Sequence, residues 1–169
     1  MASKGSTQRA FSSPTPGWKY DVFLSFYGQD TRKGFTDHLY AGLTEKGLIV
    51  FRDDEKLDRG KYISEELLKA IEESFCAVVV ISENYAFSKW CLNELAKIVE
   101  CREYRRLQIV YPVFYHVDPS DVRKQKRRFA KAFARHGEDP EVDEEKKKTW
   151  RAALRDVAYT SGWHIDHNR

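Results

Sequence analysis

Three features of this 169-residue chain predict an α/β fold built on a parallel sheet. Short apolar runs alternate with helical stripes, the sign of repeated βαβ units. The run at 77–82 shows no polar alternation, so both of its faces should be covered, as in the middle of a parallel sheet. The helical stretches repeat apolar residues at spacing four, which gives each one face to bury against that sheet.

Residues 1–17 are rich in small and polar residues and Pro, with few large apolar groups, and read as a disordered leader before one folded domain at 18–169. The first strand is 20–26, Tyr-Asp-Val-Phe-Leu-Ser-Phe. Asp30-Thr31-Arg32 opens a helix that carries Phe35, Leu39 and Leu43, and Lys46-Gly47 ends it. The second strand is 48–51, followed by a polar loop at 52–61 that contains Gly60. Ile63-Ser64-Glu65-Glu66 begins the next helix, with Leu67, Ala70 and Ile71 inward and the acids in the first turn, where the dipole favours them. After the third strand at 77–82, a helix from Ser88 to about Arg102 presents the stripe Cys91, Leu95, Ile98 and Val99, with Trp90 and Glu94 beside it. The fourth strand is 108–115; Pro112 lacks an N–H, so a weak neighbour or a bulge is expected there. Asp118-Pro119-Ser120-Asp121 has helix-start chemistry, and the basic helix that follows is anchored by Phe129 and Phe133. An acidic loop at 138–145 leads to a last helix with Trp150, Leu154 and Val157 on one side. Ser161-Gly162-Trp163 stops it, and His164-Ile165 begins a short final strand. About five strands and five helices, with helices on both faces, fit a flavodoxin-like order.

Composition narrows the function. The chain is 41% hydrophobic and 33% charged with both signs mixed, as in an ordinary globular domain, and a net charge of +3 does not by itself imply nucleic acid. No apolar stretch approaches the ~18–20 residues that span a bilayer, and the N-terminus lacks the apolar core of a secretory signal. Cys76, Cys91 and Cys101 form no CxxC pair and sit in apolar contexts, which predicts reduced thiols of an intracellular protein; none stands at ligand spacing from a histidine, so no metal is expected. GxGxxG, GxxxxGK[ST] and GxSxG are all absent from the sequence. A phospho-accepting receiver would need an Asp ending its third strand, where this chain has Ile81-Ser82.

The segment Trp90-Cys91-Leu92-Asn93-Glu94-Leu95 is the leading candidate site. Trp90 and Glu94 share a helix face. An aromatic plate beside a carboxylate near the carboxyl end of a buried strand is where an open α/β sheet places a ligand; the plain alternative is a solvated surface Glu. The basic stretch Arg123-Lys124-Gln125-Lys126-Arg127-Arg128, with Lys131 and Arg135, reads first as a solvated helix face beside the acidic loop and second as a phosphate contact for nucleic acid.

Tyr20-Asp21-Val22-Phe23-Leu24-Ser25-Phe26 with Gly28 and Asp30-Thr31-Arg32, then Phe51-Arg52-Asp53-Asp54, Ser82-Glu83-Asn84-Tyr85-Ala86, Ser88 to Leu95, Pro112 to Arg123 and Gly162-Trp163 together resemble the ordered motifs of plant TIR domains. The resemblance spans about residues 18–165 and implies the flavodoxin-like TIR fold at the front of an intracellular nucleotide-binding, leucine-rich-repeat immune receptor. It implies a slow, assembly-dependent NAD+ or NADP+ nucleosidase that uses the dinucleotide as substrate and needs no cofactor. The family's catalytic glutamate falls on Glu94. Trp90, Phe26, Tyr27, Gly28, Arg32 and Gly60 fall among its substrate-binding positions, and the BB loop at 54–62 would close the site, often from a neighbouring subunit. It implies a homo-oligomer through the first and last helices, with Asp37-His38 on the first, working with the receptor's remaining domains in the cytoplasm or nucleus and not in a membrane. A non-enzymatic association scaffold is the alternative. Three positions depart from the family pattern: Tyr27 replaces a usual Arg, Gln29 an often-found Glu, and Asp37 an often-found Ser.

Overall fold

In the computed structural model, which describes residues 17–52 and 65–166, the alternating segments form one five-stranded parallel sheet. Its strands are β1 (Tyr20–Ser25), β2 (Val50–Arg52), β3 (Ser74–Ile81), β4 (Ile109–Tyr115) and β5 (Trp163–Ile165), in the order β2-β1-β3-β4-β5. Val22 pairs with Val50 on one side and Cys76 on the other, Val80 with Val113, and Val113 with Trp163. This is the flavodoxin-like order, and its direction of winding reverses between β1 and β3. Residues 1–16 of the expected leader at 1–17, residues 53–61 of the expected loop at 52–61 with Gly60, and the expected helix start at Ile63-Ser64 lie outside the described residues.

The helices are α1 (Gly28–Thr31), α2 (Asp37–Glu45), α3 (Glu65–Glu72), α4 (Lys89–Glu103), α5 (Pro119–Lys124), α6 (Arg128–Gly137) and α7 (Glu144–Ala158). Alternate strand residues point to opposite faces. Phe23, Val79, Ile81 and Phe114 join Leu67, Ile71, Leu95, Ile98, Trp150 and Leu154 in the main core. Leu24, Phe26, Val80 and Val113 form a smaller cluster on the other side, partly covered by Phe35, Leu39 and Tyr40. Each fully buried large side chain contributes ~1.5–3 kcal/mol. Trp150 also donates its indole N–H to Asn93 Oδ1 at 3.1 Å, which pins α7 to α4.

Two expected helices are divided. The one expected from Asp30 onward breaks at Lys33 and Gly34, which leave helical geometry, so α1 ends before α2 begins. Asp30 is occupied elsewhere: its carboxylate accepts from Ser82 Oγ (2.6 Å), Asn84 N (2.9 Å) and Asn84 Nδ2 (2.9 Å), tying the segment after β1 to the turn after β3. The basic helix divides into α5 and α6 at Gln125 and Arg127, both with positive φ. Gln125 fixes that break by donating to the Arg151 carbonyl (2.8 Å) and accepting from Arg151 Nη1 (2.9 Å). At Pro112 no bulge forms, because the register with β3 continues through Val79↔Pro112 and the β5 ladder starts one residue later.

Candidate functional site

Above the carboxyl ends of β1 and β3, at the reversal in strand order, lies a cavity of about 1200 Å³. One wall is the segment after β1, including Tyr27, Gly28 and Arg32. The opposite side is Phe87, Lys89 and Trp90 at the entry to α4, and the far wall is Arg135, His136 and Asp139. Four of the sequence-derived substrate positions, Tyr27, Gly28, Arg32 and Trp90, therefore meet on one cavity.

Glu94 is not on that lining. Ser88 caps α4 by accepting from Cys91 N, which starts the helix beside β1 and aims its second turn into the core. Glu94 has no exposed surface and lies within the buried stripe of α4, not beside it as the spacing predicts; Val99, expected in the stripe, is only partly buried. A carboxylate tolerates such a place only with hydrogen-bond partners. Ser25 Oγ, at the end of β1, donates to Glu94 Oε1 at 2.7 Å, and Tyr85 Oη lies 2.8 Å from the same Ser25 Oγ. Tyr85 also donates to the Cys91 carbonyl at 3.2 Å. Burial pushes the Tyr85 phenol well above its ordinary range, with Cys91 and Glu94 adding to the rise. Ser25 and Tyr85 join the candidate site although periodicity flags neither; the one readable sign is the Ser25 hydroxyl that closes β1 directly after Val22-Phe23-Leu24.

Phe26 also lies beneath the lining, fully buried in the smaller core cluster. The Arg32 guanidinium rests 5.3 Å from its ring centre. A side chain at Gly28 would come within 3.0 Å of Arg32 Cζ, so the missing Cβ there makes room for this arginine. Tyr27 donates its hydroxyl to Gln29 Oε1 at 3.2 Å, so the two departures from the family pattern contact each other at the cavity. The half-buried Trp90 lines the cavity, and its Nε1 finds no acceptor among the described residues.

The far wall comes from α6 and the turn after it, which no motif assigns to the site. Lys89 Nζ binds Asp139 Oδ2 at 2.8 Å, and that hydrogen bond holds the Asp139 carboxyl below the usual carboxylate range. His136 donates from Nε2 to the Ala86 carbonyl at 2.8 Å, and burial lowers its pKa. The basic stretch is partly committed to the fold: Arg127 pairs with Asp121, and Arg123 donates to the Ala158 carbonyl. Asp37 and His38 are exposed at the start of α2 and do not line the cavity; Asp37 is paired with Arg52 at 2.7 Å. Gly60 lies outside the described residues.

The TIR domain family model matches residues 19–169. Disease resistance protein RPV1 of Vitis rotundifolia is 52% identical over 100% of the chain, and TMV resistance protein N of Nicotiana glutinosa is 56% identical over 90% of it. The chain spans only 12% and 13% of those two proteins. Among solved structures, the TIR domains of the activated Roq1 resistosome directly recognizing the pathogen effector XopQ superpose with a TM-score of 0.77 at 54% identity, over 86% of this chain and 87% of that one.

Proposed function

The chain belongs to the TIR domain family, and on that premise we propose that it signals in plant defence by cleaving NAD+ or NADP+ at the nicotinamide–ribose bond once copies of it assemble. The observation that carries this reading is the cavity at the strand reversal, with Trp90, Arg32 and Tyr27 on its walls and Glu94 hydrogen-bonded beneath it. Loss of nicotinamide leaves an oxocarbenium-like ribose. A carboxylate fixed nearby stabilises that charge, and most strongly where water is excluded. Ser25 and Tyr85 hold Glu94 in place for this role, and the flat indole of Trp90 supplies a stacking wall. Because Glu94 is wholly buried, substrate reaches it only when the cavity floor shifts, which makes that shift the step coupled to assembly.

Assembly is supported by the likeness to domains within an activated resistosome. The contact runs through α2, α7 and the BB loop, within a receptor that also holds nucleotide-binding and leucine-rich-repeat domains in the cytoplasm or nucleus. Asp37 enters such a contact already neutralised by Arg52, which relieves like-charge repulsion across a two-fold axis. No helix among the described residues is long and apolar enough to cross a membrane. The complete burial of Glu94 also favours a second reading, a non-enzymatic association scaffold. Nicotinamide release measured against protein concentration separates the two. An assembling enzyme gives release that rises more steeply than linearly, whereas a scaffold gives none at concentrations where sedimentation shows oligomers.

A further inference from the structure

Arg128, Lys131 and Arg135 fall three and four residues apart along α6, so they share one exposed face. Both arginines turn toward Phe87: the Arg128 and Arg135 guanidinium carbons lie 4.8 and 5.0 Å from the same ring centre. Arg128 also donates to Asn84 Oδ1. Among the described residues, no carboxylate pairs with any of the three cations. They border a second cavity of about 350 Å³, which shares Tyr27, Gln29, Phe87 and Arg135 with the larger one. Like charges gathered around one ring repel each other unless an anion joins them, and guanidinium forks match phosphate oxygens.

We propose that this smaller cavity is an anion subsite that takes a phosphate from the adenosine half of the dinucleotide while the nicotinamide half occupies the larger cavity. The proposal rests on reading the larger cavity as the dinucleotide site. The shared walls let one extended molecule occupy both cavities, and a volume of about 350 Å³ suits a phosphate with part of its nucleoside and not a polymer. Two groups could supply the anion: the pyrophosphate common to NAD+ and NADP+, and the 2′-phosphate found only on NADP+.

Isothermal titration of the chain with ADP, adenosine 2′-monophosphate and adenosine tests this, because none of these probes contains the bond to be cleaved. At least one phosphorylated probe should bind, and adenosine should bind at least about tenfold more weakly, since charge-assisted contacts to phosphate would supply most of the affinity. Lys131→Gln should weaken the phosphorylated probe severalfold, and Arg128→Gln with Lys131→Gln should weaken it about tenfold or more. The Lys131 side chain makes no hydrogen bond or ion pair among the described residues, so the single variant keeps the fold intact. Preference for ADP assigns the pyrophosphate, and preference for adenosine 2′-monophosphate assigns the 2′-phosphate. Phosphorylated probes that bind no better than adenosine, or affinities unchanged in both variants, would overturn the subsite, as would binding of single-stranded RNA alone. Probe binding without dinucleotide turnover by the assembled chain would sink the proposed activity and leave the subsite standing; turnover without probe binding would do the reverse.

Discussion

Burying a carboxylate costs several kcal/mol unless its oxygens are met by donors, and Ser25 meets Glu94 from the end of β1 while Tyr85 steadies Ser25 from the turn after β3. Ser25 lies 69 residues from Glu94 and 60 from Tyr85 along the chain. Hence the carboxylate at position 94 is legible in the sequence, whereas its burial and its partners are not. His136 shows how burial at the site affects stability. Its folded pKa lies below the ordinary histidine value, mainly through burial. The unfolded chain therefore binds the extra proton first as pH falls. The His136 contribution is full above about pH 6.5 and is lost as pH drops toward the folded value. The urea midpoint should fall between about pH 7.5 and about pH 5, and His136→Asn, which cannot titrate, should reduce that slope. An unchanged slope would assign the pH dependence to other groups.

Local periodicity reports strands and helix faces well, because what it reads is the burial pattern of consecutive residues. The apolar run ending at Ile81, the stripe of Trp150, Leu154 and Val157, and the Asp118 cap on α5 all appear where the sequence puts them. The divisions at Gly34 and Gln125 escape it, because they are decided by bonds to distant segments: Asp30 to Ser82 and Asn84, and Gln125 to Arg151. The junction of β4 with β5 is a contact of the same long-range kind. A Cβ added at Gly162 would lie 2.1 Å from the Pro112 carbonyl oxygen and 2.7 Å from its Cγ. Gly162→Ala should therefore force β5 away from β4 and cost about 1–3 kcal/mol, read as a lower melting temperature. A melting temperature equal to wild type would mean that the strand end gives way freely.

For the whole molecule, the strand order β2-β1-β3-β4-β5 places a crevice between the segments after β1 and β3, and that crevice is the cavity. Strand–helix alternation makes the order predictable. The far wall from Arg135 to Asp139 is not predictable that way, since it depends on how α6 packs against the turn after β3, where His136 meets the Ala86 carbonyl. Under the proposed function, Glu94 is the carboxylate that stabilises the ribose as the dinucleotide is cleaved. Loss of NAD+ and NADP+ should be followed at high protein concentration with a crowding agent, for the wild-type chain beside Glu94→Ala, with sedimentation confirming that both assemble. The wild type should consume dinucleotide and Glu94→Ala should not. Equal consumption by the two proteins, or none by an assembled wild type, would contradict a catalytic role for Glu94.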